Sequence, residues 1–201
     1  MFRHSLAVLV FSATVAQAAT TSFTDLLSYN TAVGAELFSI DFNGPASGGD
    51  PGDYVGKVDF GSPEASDPTL VNLGSNALSD AGSTTAANGV GPVDGVFYSA
   101  VHAFRLDFLS SGLPQTIELY DATANLIASV ITPASGFFGV KSDTAIGSFI
   151  IRNGEFSANT RDRFFIDNFA ANAISPIPLP ASFPLALLGL GAFALVRRRK
   201  G

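Results

Sequence analysis

The chain contains no cysteine. Disulfides, thiolate zinc sites and cysteine nucleophiles are thereby excluded together, and a body exported from the cell would have to rely on its packed core. Tryptophan is absent as well, which removes the broadest stacking surface for a sugar ring. Histidine occurs only as His4 and His102. A Ser-His-Asp triad would depend on His102, yet no Gly-X-Ser-X-Gly elbow is present. One imidazole with no thiolate near it is a poor start for a zinc site. No phosphate-cradling glycine motif occurs, and the glycines punctuate turns instead. Positive charge is scarce where it would matter for nucleic acid. All 17 acidic residues lie between Asp25 and Asp167, and that stretch holds only 6 of the 11 basic ones, a net charge of 17 − 6 = 11 negative. Such a surface repels phosphate backbones, so nucleic-acid binding is excluded as a class.

The remaining bases sit at the ends, and both ends read as addresses. Arg3 and His4 open a short basic start, Leu6 to Val15 is mostly apolar, and Ala16-Gln17-Ala18 offers small residues at Ala16 and Ala18, the positions signal peptidase inspects. Residues 1–18 are expected to be a signal peptide cut after Ala18. At the other end, Leu179 to Val196 carries no charge over 18 residues, and Arg197, Arg198, Arg199 and Lys200 follow at once. As a helix that run spans about 27 Å, close to a hydrocarbon core of ~30 Å. The four cations are expected to stay cytoplasmic and leave the preceding chain outside. Ahead of the span, Ser175-Pro176-Ile177-Pro178-Leu179-Pro180-Ala181-Ser182 places prolines at alternate positions. They forbid helix and hold the strip 176–182 extended, in a form that a processing enzyme can grip.

The extended proline motif, short apolar span and terminal basic cluster together resemble the PEP-CTERM sorting signals of Gram-negative bacteria. Ile177-Pro178-Leu179-Pro180-Ala181 is similar to the variant written Val-Pro-Leu-Pro-Ala; the commoner form has Glu between two prolines, where this chain has Leu179. The resemblance implies an inner-membrane intermediate and cleavage near the motif by an exosortase, an integral membrane protease or transpeptidase. Release to the cell surface, or to an extracellular polysaccharide matrix, would follow. The expected division is a signal peptide (1–18), an ectodomain (19–173) and a sorting tail (174–201).

The ectodomain is rich in Gly, Ser, Thr, Asn, Asp and Phe and poor in Lys and Glu, a composition of strands and turns. It is expected to open with a short helix capped by Thr24, with Leu26, Leu27 and Val33 on its apolar side and Gly34 at its end. From there the period is two. Ala103 to Phe108 alternates apolar residues with Arg105 and Asp107; Gln115 to Tyr120 turns Ile117 and Leu119 inward. A turn at 121–125 leads to a returning strand, 126–131. Further strands are expected at 54–60, 69–73, 137–140, 146–152 and 163–170, with Ala81–Asn88 as a loop. Many short strands with no helical crossovers predict an all-β, antiparallel sandwich.

Asp41-Phe42-Asn43-Gly44, Ala103–Phe108, Phe137-Phe138-Gly139-Val140 and Ile166-Asp167-Asn168 resemble, in order, the jelly-roll sandwich found ahead of many PEP-CTERM tails. In carbohydrate-binding jelly rolls a calcium often joins the first and last strands, which by that resemblance makes Asp41 and Asp167 calcium candidates. Asp167, expected to face inward, needs a partner: a metal, backbone hydrogen bonds, or an arginine such as Arg161 or Arg163. Tyr54, Tyr98 and Tyr120 are candidates for stacking on a sugar. The expectation is a non-enzymatic ectodomain. Its rivals are a carbohydrate- or calcium-binding module and a polysaccharide hydrolase working through two carboxylates.

Overall fold

A computed structural model describes residues 19–44, 52–64, 67–73, 76–82, 88–109, 111–157 and 160–173. The expected signal segment with Ala16 and Ala18, the proline strip Ile177–Ala181, the span 179–196 and the basic end 197–200 lie outside the described residues. Among the described residues no helix is long and apolar enough to cross a membrane.

The elements are β1 (Thr20–Phe23), α1 (Leu26–Ala32), β2 (Glu36–Ile40), β3 (Asp53–Tyr54), β4 (Val58–Gly61), β5 (Leu70–Asn72), β6 (Asn76–Ser79), β7 (Ala81–Gly82) and β8 (Val90–Gly91). They continue with β9 (Val93–Leu109), β10 (Thr116–Tyr120), β11 (Leu126–Ile131), β12 (Gly136–Arg152), β13 (Glu155–Ser157), β14 (Thr160–Arg161) and β15 (Phe165–Asn172). Every described strand pairing is antiparallel.

Two 17-residue strands, β9 and β12, organise the sheet. The first half of β9 pairs with β4 and with the second half of β12, which continues through β10 to β11. The second half of β9 pairs with the first half of β12 and with β15, and these carry β1, β2 and β6. The β9–β12 register shifts between Lys141 and Ile146, where the sheet changes from one half to the other. Side chains from the two halves meet face to face. Phe104 stacks on Phe149 with centroids 4.7 Å apart, and Phe60 meets Phe169 edge-on at 5.2 Å. The result is a sandwich-like arrangement with a core of phenylalanine.

Strand alternation supplies that core as the sequence predicts. Phe104, Leu106 and Phe108 are buried while Arg105 and Asp107 face outward; Ile117 and Leu119 are buried around half-exposed Glu118. Close packing of the rings needs space that only glycine leaves. A Cβ on Gly95 would stand 2.3 Å from Phe149 Cζ. One register line crosses four adjacent strands, Thr21–Lys141–Ala103–Asn172. It places the start of β1 and the end of β15 at the same end of one layer, roughly 14 Å apart at the usual strand spacing.

Several expectations are corrected. The chain enters through β1, not through the helix, because β1 has the open edge of β12 to pair with. The helix is capped by Asp25, not Thr24: Asp25 Oδ1 accepts the Ser28 amide at 2.8 Å, with Asp25 itself in extended conformation. Of the expected apolar side Val33 is buried, but Leu26 and Leu27 face solvent, and Tyr29 takes their place in docking the helix. The segment 54–60 is a hairpin turned at Gly56, whose φ of 76° glycine adopts without strain. The strands expected at 137–140 and 146–152 are one bent strand. The expected loop begins with β7, which pairs with β8, and residues 83–87 lie outside the described residues.

Candidate functional site

The two calcium candidates fall at one end of adjacent strands. Asp41 follows β2, whose Ile40 pairs with Phe169, and Asp167 lies in β15 just before Asn168. Asp41 is exposed and its Oδ1 accepts the Asn43 amide at 3.1 Å. The turn it opens carries Phe42 at a φ of 55°, held there by burial of its ring against Tyr54 and Phe60. Asp167 is buried, and its Oδ1 accepts the Asn168 amide at 2.7 Å. Asn168 is also left-handed, at a φ of 51°, where the β9–β15 register shifts; its Nδ2 donates to Asp107 Oδ2 at 2.9 Å.

A cleft of about 350 Å³ opens here between Ser39, Ile40, Asp41, Arg105 and Asn168. It holds the Asp41 carboxylate and the Arg105 guanidinium, the latter 3.3 Å from Glu36 Oε2. Calcium takes six to eight oxygen ligands. One exposed carboxylate beside a guanidinium fits that demand badly, and among the described residues no three His, Asp or Glu side chains gather in one place. The arginines named for Asp167 pair elsewhere, Arg163 with Asp80 at 3.6 Å and Arg161 with Glu64 at 2.6 Å.

The densest polar structure, which the sequence reading did not single out, lies where β12, β14 and the segment before β10 meet. Asp162 Oδ2 accepts from the Gly112 and Leu113 amides at 2.9 and 2.8 Å, from Ser111 Oγ at 2.9 Å and from Gln115 Nε2 at 3.1 Å. Gln115 Oε1 in turn accepts the Gly154 amide at 2.7 Å. Asn153 Nδ2 donates to the Asp162 carbonyl at 2.9 Å and to Asp80 Oδ2 at 3.2 Å. Burial pushes the Asp80 carboxyl up to about 7, against the nearby Arg163 guanidinium and the Phe164 amide, which favour its charge. These groups tie the chain together over 73 residues between Asp80 and Asn153. Only their partners' positions in the fold reveal them; the nearest sequence signal is the Asn153-Gly154 turn after a long apolar strand.

In front of this network lies a second cleft, of about 360 Å³, lined by Pro92, Thr116, Arg152, Asn153, Gly154, Glu155 and Arg161. Each of the two clefts is bordered by one carboxylate, Glu155 here and Asp41 in the other. Glycoside cleavage requires two carboxyl groups flanking the bond, and neither cleft supplies the pair. His102 Nδ1 sits 3.1 Å from the Ser142 carbonyl, a half-buried contact within the sheet. Of the tyrosines, Tyr54 packs edge-on against Phe42 and Phe60, Tyr98 is exposed and donates to Asp53 at 2.9 Å, and Tyr120 donates to Glu118 at 2.8 Å.

Residues 176–200 match the PEP-CTERM protein-sorting motif. That places the chain among exported proteins processed at the membrane, for which the processing enzyme is an exosortase. No curated protein matches the chain. Among solved structures it is similar to mutants of a family 29 carbohydrate-binding module. One is 12% identical, covering 81% of this chain and 99% of the module with a TM-score of 0.42. Another is 14% identical, covering 70% and 99% with a TM-score of 0.41. With TM-scores below 0.5 these likenesses establish no common fold.

Proposed function

We propose that this is a cell-surface or matrix protein whose all-β, jelly-roll-like body is non-enzymatic and whose tail is the Val-Pro-Leu-Pro-Ala variant of the sorting signal. The single observation that carries the reading is the sorting motif at 176–200. Signal peptidase removes residues 1–18 after Ala18. The apolar span 179–196 halts in the inner membrane with Arg197–Lys200 inside. The exosortase then acts near Pro178–Ala181 and frees the body, with exopolysaccharide as its setting. The ectodomain's net charge of 11 negative (17 acids, 6 bases) keeps it soluble there and away from nucleic acid.

An epitope tag placed after Lys200 tests this in cells carrying the exosortase. The tag is expected on a small membrane fragment, separate from the body. A tag that stays joined to the mature body identifies a permanent anchor and overturns the processing step.

A further inference from the structure

A strand with a single partner leaves one side of its main chain open, and among the described residues these strands are β1, β2, β3, β5 and β11. An open edge invites a further strand unless it is short, charged or broken. β2 carries Glu36 and β3 carries Asp53, while β1 and β5 are only four and three residues long. β11 has no such guard. It runs six residues, Leu-Ile-Ala-Ser-Val-Ile, without charge, proline or glycine. Its register against β10 is irregular only at its start, so Ala128 to Ile131 form a regular edge.

The ladder fixes which groups this edge offers. The Thr132 amide donates to the Gln115 carbonyl at 2.9 Å, one step beyond the Thr116–Ile131 pair. Antiparallel alternation therefore turns the main-chain groups of Val130 and Ala128 towards β10 and those of Ser129 and Ile131 away from it. The side chains of Ser129 and Ile131 are exposed, Ile131 to 74%, whereas Val130 is half-buried against the core. A second copy turned half a circle about Val130, in the plane of the sheet, matches the first group for group. Ser129 then faces Ile131 of the second copy, twice over, and each pair exchanges an amide and a carbonyl in both directions. Val130 faces Val130 between them, at the non-hydrogen-bonded position. Charge selects the same occupant. No charged residue stands between Asp121 and Lys141, the longest such run between Asp25 and Asp167. Two bodies of net charge 11 negative (17 acids, 6 bases) repel through most of their surface, but across this edge no acid in either strand opposes another. Glu118, beside Ser129 on β10, is already paired with Arg152 at 2.8 Å.

We propose that β11 is the contact of a two-fold homodimer, in which two copies pair antiparallel about Val130 and join their β10–β11 sheets into one. A single strand from each side buries less than the roughly 1,000 Å² of a stable interface, so the pair is weak and exchanges. The contact stands on the fold of the body and does not depend on how the chain is sorted.

The test uses the full chain in detergent micelles and exploits its lack of cysteine. Val130→Cys introduces the only thiol, and facing residues at a non-hydrogen-bonded position stand about 4.5 Å apart, within disulfide reach. Mild oxidation is expected to convert most of this variant to a covalent dimer. Ser129→Cys places its two thiols on the diagonal, at roughly 7–8 Å between Cα atoms, and is expected to link several-fold less. Two further changes are added singly to Val130→Cys. Ser129→Pro removes an amide that β10 does not use, a change open edges tolerate; Ile131→Glu sets an acid on an exposed position. Each should keep the far-ultraviolet spectrum and lower the dimer yield about tenfold or more, Ser129→Pro because each pair loses two donors. Should Ser129→Pro fail to fold, Ile131→Glu decides alone. No covalent dimer at Val130 would leave the edge to some other occupant or to water. Equal linking at Ser129 would show random collision or another register. A yield undiminished in either folded variant would show that the tails, not β11, bring the copies together. Any one of these overturns the proposal.

Discussion

Asp80 shows how one residue can set a pH dependence for the body. Its side chain is buried, accepts from Asn153 and Phe164, and has the exposed Arg163 as its counter-charge. The folded chain holds its proton up to about 7, whereas the unfolded chain releases it near 3.8. Between those values the native state binds more protons than the unfolded one, so this group's contribution is fully present below about pH 4 and is lost as pH climbs through 7. Asp80→Asn keeps an oxygen for Asn153 and Phe164 and removes the ionisation. Its melting temperature is expected to match the parent below about pH 4, to rise above it progressively as pH climbs past 4, and to exceed it by several degrees at pH 8, measured by calorimetry. None of this was legible from the sequence. Asp80 sits among 17 acids, and what distinguishes it is burial beside Asn153 and Phe164, both more than 70 residues away along the chain. The aromatic core was legible, because Phe104, Leu106 and Phe108 alternate with charged Arg105 and Asp107 and no other period fits them.

At the scale of elements, the strands announced themselves through period two, and the order of β9 to β12 was readable from it. β1 was not: its four residues Thr20–Phe23 run half-buried, exposed, exposed, half-buried, which is no alternation at all. The helix was readable as a helix but not by its face. Its docking depends on Gly139, under whose missing Cβ the Tyr29 ring lies; a methyl group there would come within 2.4 Å of Tyr29 Cδ2. Gly139→Ala is expected to lift α1 from the sheet and cost about 1–3 kcal/mol, read from denaturant unfolding of the full chain. The Tyr29 hydroxyl donates to Asn172 Oδ1 at 2.8 Å in the interior, and Asn172 Nδ2 donates to the Gly34 carbonyl. Tyr29→Phe leaves the Asn172 oxygen without that donor and should cost about 1–3 kcal/mol in the same measurement. Because this contact ties the last strand to the first helix, faster proteolysis near residue 173 should accompany the loss. The jelly-roll likeness pointed to the last strand through Ile166–Asn168 but not to the helix or to the contact between them.

For the whole molecule, the sequence disclosed the tail better than the body. Prolines, an uncharged run and four cations act locally and can be read locally, whereas the two clefts exist only once β9 and β12 have bent the sheet over. The bend has an outcome for export itself. Ala19 pairs with Asp143 through the main chain, and Ala173 is held by Gly34 and Ala35. With Thr21 and Asn172 on one register line, the body sends both of its ends out of the same rim. Pro178 is five residue steps from Ala173, a reach of no more than about 18 Å. On the processing proposed above, a chain still fastened to the lipid at the start and the finish can complete its sandwich as a loop standing on two neighbouring feet, so that neither of the proposed cuts has to wait for the other. A chain with Ala18→Leu, which signal peptidase should leave whole, is expected to give the same protease-resistant core as the mature form in limited digestion. A body that becomes resistant only after the first cut would show that the rim cannot serve both feet at once.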